Sequence, residues 1–276
     1  LTGGWGKMPN ELKQIHNYYQ NWAPLDRIIV VVWPQGIAEN WPDESFHVVE
    51  FSTHQYQTWA GYNKEQDVLR DAFGIDNKDF KHNFVCMNRI KKPHRQILYD
   101  RVSSFKTGNC SLQSAGYELD LPGLDFATYD KQYDNLANLL SLKGAFNTSF
   151  FSVVAETQFA EQYGIITEKT FNAIVAGHPF MLCAHQGAIQ QMQNLGFKTW
   201  DSLFNEFYDE VKEPTRIDDM IFDNLAWFDV KLSSSDMHEL YMLHRDIIDY
   251  NRNFFLDEFG NKQVHLFRKQ LLNIWN

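Results

Sequence analysis

The chain has 276 residues, 44% of them apolar and 22% charged, with a net charge of −10. These values indicate a folded chain with a sizeable core and exclude a disordered or fibrous one. The acidic balance argues against nucleic acid as a partner, and the longest apolar run, 28–33, is far short of the ~20 residues of a transmembrane helix.

In chain order, the pattern predicts a helix over 9–19, opened by a proline near its first turn. A β-branched apolar run predicts a buried strand over 27–33, and a second strand is expected over 46–51. A helix over 65–73 closes at Gly74. Beyond it, strands at 83–87, 111–117, 150–155 and 179–183 alternate with helices at 93–105, 129–142, 167–176 and 188–195. Such alternation predicts a parallel sheet flanked by helices. From 216 onward only helix is expected. The domains expected from this pass are an N-terminal α/β domain over 1–77, a second α/β domain over 78–215 and a helical segment over 216–276.

Cys86, Cys110 and Cys183 are widely spaced, so neither a disulfide framework nor a structural zinc site is expected. The first residues lack the basic and apolar pattern of a secretion signal. A reducing cytoplasm is the expected location.

Two helix starts carry unexpected charge. A helix N-terminus bears partial positive charge and favours acidic residues. Yet the helix at 93 follows Arg89, Lys91 and Lys92 and holds His94 and Arg95 in its first turn, and the helix at 167 holds Lys169. Cations set against a helix dipole, in loops that follow parallel strands, point to an absent anion such as a phosphate. The alternative is a solvated surface bearing a penalty of about 0.3–1 kcal/mol per residue. Thr167 is placed to cap its helix. Glu168 either suits the dipole or accepts from a ribose diol. Glu156 ends the apolar run at 150–155, so it either points into the crevice or is paired with a cation.

The segment Phe151-Ser152-Val153-Val154-Ala155-Glu156, then Ile166-Thr167-Glu168-Lys169, then Ala176-Gly177-His178-Pro179, resembles the donor-binding segment of the α1,3-fucosyltransferase family. The strand at 84–87 with Arg95 and Tyr99 resembles the same family, as does Glu39-Asn40-Trp41-Pro42-Asp43 more faintly. The resemblance lies mainly within 83–187. It implies a metal-independent, inverting glycosyltransferase of the GT-B type. That fold has two Rossmann-like halves, the N-terminal one small here, with C-terminal helices packing across both. It also implies that Arg95 and Lys169 hold a donor diphosphate, with Arg89 nearby and Thr167 at the helix start, that Glu168 meets the ribose, and that Glu156 lies near the donor sugar. The chain departs from the family at Thr157, where the family has Asn, and at Ile165, where it has an aromatic. Both put a GDP-fucose donor in question. Gly196-Phe197-Lys198-Thr199-Trp200 and Tyr208-Asp209 resemble stretches in glycosyltransferases of viral and bacterial type, although Trp200 and Tyr208 also suit a core.

The catalytic base is open between His54, Glu39, Asp43 and Glu50. There is no Asp-x-Asp pair, no Walker loop and no Gly-x-Gly-x-x-Gly, and no metal is expected. The expected partners are a nucleotide-diphosphate sugar and a glycan or other hydroxyl acceptor. A non-catalytic nucleotide-sugar or carbohydrate binding protein is the alternative.

Overall fold

The computed structural model describes residues 29–32, 47–117, 119, 135–159, 164–212, 215–225, 230 and 232–275. The helix expected over 9–19, along with Glu39 and Asp43, lies outside them. Two compact units divide the chain: Leu1–Ser52 with Gln263–Asn276, and Thr53–Lys262. In the first, β1 (Ile29–Val32) and β2 (His47–Glu50) pair in parallel.

The second unit is α/β. Its sheet has four parallel strands, β3 (His82–Asn88), β4 (Gly108–Leu112), β5 (Ser149–Ala155) and β6 (Phe180–Cys183), in the order β4-β3-β5-β6. This is compatible with a Rossmann-like fold. β5 is buried along its whole length, which is why its sequence is continuously apolar rather than alternating. The chain leaves β3 for β4 on one side and then returns past it to β5. The strand order therefore reverses between β3 and β5, and the loops diverge there to leave a crevice at the carboxyl ends.

The register sets the two faces. Val85 pairs with Ser152 and Met87 with Ser111, so these side chains share one face of the sheet. Right-handed crossovers put α3 (Pro93–Val102) on the opposite face. They put α4 (Asn135–Ser141), α5 (Lys143–Thr148) and α6 (Glu168–Val175) on the face of Val85. α7 (Ala188–Leu195) has the predicted bounds and closes at Gly196, whose φ of 106° lies in the left-handed region that favours glycine. The tail is helical as expected: α8 (Arg216–Asp223), α9 (Ser234–Leu243), α10 (Arg245–Asn253), a π-helical turn (Phe254–Phe259) and α11 (Gly260–Trp275).

Two expectations are corrected. β4 ends at Leu112 rather than running over 111–117, because Gln113–Ala115 forms a 3-10 turn closed by Gly116 at φ 84°. Thr53–Asn63 forms a helix, α1, where no helix is expected, followed by α2 (Gln66–Ala72). The face that α1 buries is Gln55, Thr58, Trp59 and Tyr62. This face lacks the aliphatic stripe by which sequence patterning detects a helix. It is held by tertiary bonds instead. Trp59 Nε1 and Asn63 Nδ2 donate to the Leu256 carbonyl in the π turn at 3.3 and 2.6 Å, and Gln55 Nε2 donates to the Ile166 carbonyl at 3.1 Å.

Trp200 and Tyr208 are core residues, 1% and 2% exposed. Asp209 caps α7, its carboxylate accepting from the Ile189 and Gln190 backbones at 3.0 and 3.4 Å.

Several buried ionisable groups predict how stability responds to acid. Burial lowers His94 and His185 to about 4, with the neighbouring Arg95 and Arg216, respectively, adding to the effect. Between about pH 6.5, the unfolded value, and pH 4, the unfolded chain therefore binds more protons than the folded one. Stability is present above this window and is lost as pH falls through it. Burial raises Asp209 to about 6, so this carboxyl acts in the opposite sense, and its share of stability declines as pH rises from about 4 to 6. Urea unfolding at pH 7.5 and pH 5 should show a net loss on acidification. His94→Gln should reduce that loss by about 1–3 kcal/mol, and Asp209→Asn should enlarge it. An unchanged slope in both variants would refute the assignment.

Candidate functional site

A cavity of about 540 Å³ opens at the carboxyl ends of β3 and β5, where the strand order reverses. The β3–α3 loop supplies Arg89 and Lys92 to its lining, the first turn of α3 supplies Arg95, the first turn of α6 supplies Glu168 and Lys169, and α1 supplies His54. Below this mouth the cavity runs between the Val85 face of the sheet and α4, α5 and α6.

Glu156 does not line the cavity. Its carboxylate is fully buried and turned onto the start of α6. It accepts from the Thr167 backbone at 3.0 Å, from the Thr167 and Thr170 hydroxyls at 2.5 and 2.6 Å, and from the Thr157 backbone at 3.3 Å. The anion that the dipole of α6 calls for is thus supplied within the chain. At the other end of α6, Lys78 Nζ donates to the Ala176 carbonyl at 2.8 Å and meets the negative pole.

α3 is different. Its first turn has no acidic residue and its N-cap, Lys92, makes no side-chain cap. The side chains around it brace the neighbouring loop. Lys92 Nζ donates to the Thr157 carbonyl at 2.8 Å, and His94 Nε2 to the Glu156 carbonyl at 3.0 Å. The Arg95 guanidinium donates to the carbonyls of Ile90, Ala155 and Glu156 at 3.2–3.4 Å. Arg95 is 4% exposed, yet its Nε has no partner among the described residues, and neither does Oδ1 of Asn88, another buried lining residue.

On the opposite wall, His54 Nε2 donates to Glu168 Oε2 at 3.1 Å, and Lys169 Nζ donates to Glu168 Oε1 at 2.6 Å. Lys169 Nζ also reaches the Thr157 and Thr167 hydroxyls at 3.2 Å. Burial opposes ionisation of Glu168, but the His54 bond and the Lys169 ammonium outweigh it and hold the carboxyl well below the usual carboxylate range. The two bonds leave both Glu168 oxygens occupied. The one from His54 also ties α1 to a helix 114 residues later in the chain.

The sequence-predicted residues Arg89, Arg95, Glu168, Lys169 and His54 therefore converge on one cavity. Thr167 caps α6 as expected but is bonded to Glu156. Sequence reasoning misses Lys92 as a brace and the amide-bearing residues Asn88, Asn135, Asn138 and Asn172 of the lining. No local motif marks these. Asn135, Asn138 and Leu142 do follow one another at helical spacing, a signal that reads as an ordinary buried stripe.

Among the described residues, no three His, Cys, Asp or Glu side chains are grouped to hold a metal ion, and no helix is long and apolar enough to cross a membrane. Comparison with protein-family models, curated proteins and solved structures finds no match for this chain.

Proposed function

We propose that the chain is a glycosyltransferase that moves a sugar from a nucleotide-diphosphate donor to an acceptor hydroxyl, with inversion and without a metal. In this reading the donor is of the GDP-linked class used by the α1,3-fucosyltransferases it resembles. The observation that carries it is the charge of the cavity: in a chain of net charge −10, its lining holds Arg89, Lys92, Arg95 and Lys169 against the Glu168 carboxylate. Such a mouth, at a topological switch point and beside an uncapped helix N-terminus, suits a diphosphate. In the same reading the β1–β2 unit belongs to a small acceptor-side half of a GT-B arrangement.

The chemistry follows from the groups present. His54 gives its Nε2 proton to the Glu168 bond, which leaves Nδ1 as the basic nitrogen. Nδ1 removes the acceptor hydroxyl proton as the oxygen attacks the anomeric carbon. The bond from that carbon to the diphosphate oxygen breaks, and the leaving charge is met by Lys169, Lys92 and the first N–H groups of α3.

Thermal shift with GDP, UDP, CDP, ADP and their sugars, with and without EDTA, tests the donor site. One nucleotide class should stabilise the fold independently of EDTA. Lys169→Ala should weaken its binding by about tenfold or more, about 1.4 kcal/mol. If no nucleotide stabilises the protein, or if Lys169→Ala binds as well as the parent, the donor-site reading fails.

A further inference from the structure

We propose that the face formed by the 3-10 turn Glu206–Glu210 and the outer side of α8 docks a protein partner through a basic segment that carries an apolar stripe. The face lies away from the cavity, and the inference is independent of the donor-site reading. It carries two exposed aromatics: Phe207 is 64% exposed and Phe222 78%. In the turn, Tyr208 and Asp209 are buried and Phe207 is not. In α8 the buried stripe is Arg216, Ile217, Met220 and Ile221, and Phe222 falls on the face of Asp218, four residues before it. Reciprocal bonds join the two segments. Asn205 N–H donates to Asn224 Oδ1 at 2.6 Å, and Asn224 Nδ2 donates to the Asn205 carbonyl at 3.0 Å. Each phenylalanine is two residues from this tie, within about 7 Å along the chain, so one partner segment can cover both.

Charge selects the occupant. Residues 201–223 hold eight acidic and two basic residues, a net −6 within a chain of −10. Asp209 and Arg216 are both buried and offset each other, so neither adds to the surface. Asp201, Glu210 and Asp218 are exposed and Asp219 is half-buried; Asp218 is paired with Arg101 at 2.8 Å. Single exposed apolar residues are ordinary, but two aromatics held together within one acidic field form a patch. The face of an aromatic ring attracts a cation, so the rings and the carboxylates favour the same lysine and arginine side chains, while apolar side chains between those cations cover the rings. Exposed phenylalanines also suit a membrane, but lipid surfaces are neutral or anionic and the acidic rim is repelled by them. A two-fold contact with a second copy would set the same net −6 against itself. A cationic protein segment meets neither objection.

The test measures, by fluorescence anisotropy on the full chain, the binding of two labelled synthetic peptides of equal positive charge. One is an amphipathic lysine–leucine helix, and the other has serine in place of leucine. The parent should bind the lysine–leucine peptide about tenfold or more tighter. Phe207→Ser combined with Phe222→Ser should remove that advantage, while binding of the lysine–serine peptide changes by less than about twofold. Both rings are exposed, so the variant should fold, as circular dichroism checks; each single substitution is read in the same way should the pair fail to fold. Glu210→Gln combined with Asp219→Asn should weaken both peptides. Val68→Ser, which removes an exposed side chain of α2, should change neither. Equal binding of the two peptides by the parent, no binding of either, an advantage kept in the folded variant, or an equal loss in Val68→Ser would overturn the docking face. Binding of the parent but not the phenylalanine variant to vesicles of phosphatidylcholine and phosphatidylserine would assign the face to a membrane instead. A dimer in sedimentation that the variant loses would assign it to a second copy. Either result overturns the proposal.

Discussion

Glu156→Ala is expected to destabilise the protein by about 3–5 kcal/mol, the range for removing one partner of a buried charged network. Thr167 N–H, the Thr167 and Thr170 hydroxyls and Thr157 N–H all lose their acceptor. Thr170 is fully buried and Thr167 nearly so, so water cannot readily replace the carboxylate. Arg95, which is attracted by that charge, is left more exposed to its own burial cost. In a chain of this size the loss corresponds to a melting temperature lower by roughly 10 °C. Glu156→Gln keeps an oxygen acceptor but no charge and should lie between the two. Urea and thermal unfolding of both variants measure this. A loss below about 1 kcal/mol would show that α6 does not depend on the carboxylate. A Glu156→Gln variant of parental stability that has lost turnover would assign the group to the donor sugar instead.

His54→Gln is expected to lower kcat by about 10²–10⁴-fold, the usual contribution of a general base, while nucleotide affinity stays within about threefold, less than 1 kcal/mol. The amide keeps a donor for Glu168 but cannot accept a proton. Full activity in His54→Gln would move the base elsewhere, with Glu39, Asp43 and Glu50 the remaining sequence candidates. Loss of nucleotide binding equal to the loss of turnover would make His54 a residue that only positions Glu168 and Lys169.

The sequence by itself determined the alternation of strands and helices in the larger unit. Continuous burial of a central parallel strand writes an uninterrupted apolar run, as at Phe150 to Ala155, and glycine at a left-handed φ closes a helix, as at Gly196. It also singled out the cationic loops after β3 and β5, because charge set against a helix dipole is a local violation that needs no three-dimensional information. Only the tertiary structure decided what those charges meet. The anion at the start of α6 is Glu156, eleven residues earlier in the chain, and no spacing rule links a strand-end carboxylate to a helix beyond an intervening loop. Lys92 and His94, and Arg95 apart from its bond to Ile90, spend their bonds on carbonyls 60 or more residues away. Helix α1 carries no aliphatic stripe, since its buried face is made of Gln55, Thr58, Trp59 and Tyr62. The bonds of Trp59 and Asn63 to Leu256 O, nearly 200 residues later, hold it where His54 reaches Glu168. Local patterns report hydrophobic period and helix-end charge. Which polar group satisfies which depends on chain crossings that bring distant segments within hydrogen-bond reach, and these are settled when the sheet order places β5 beside β3.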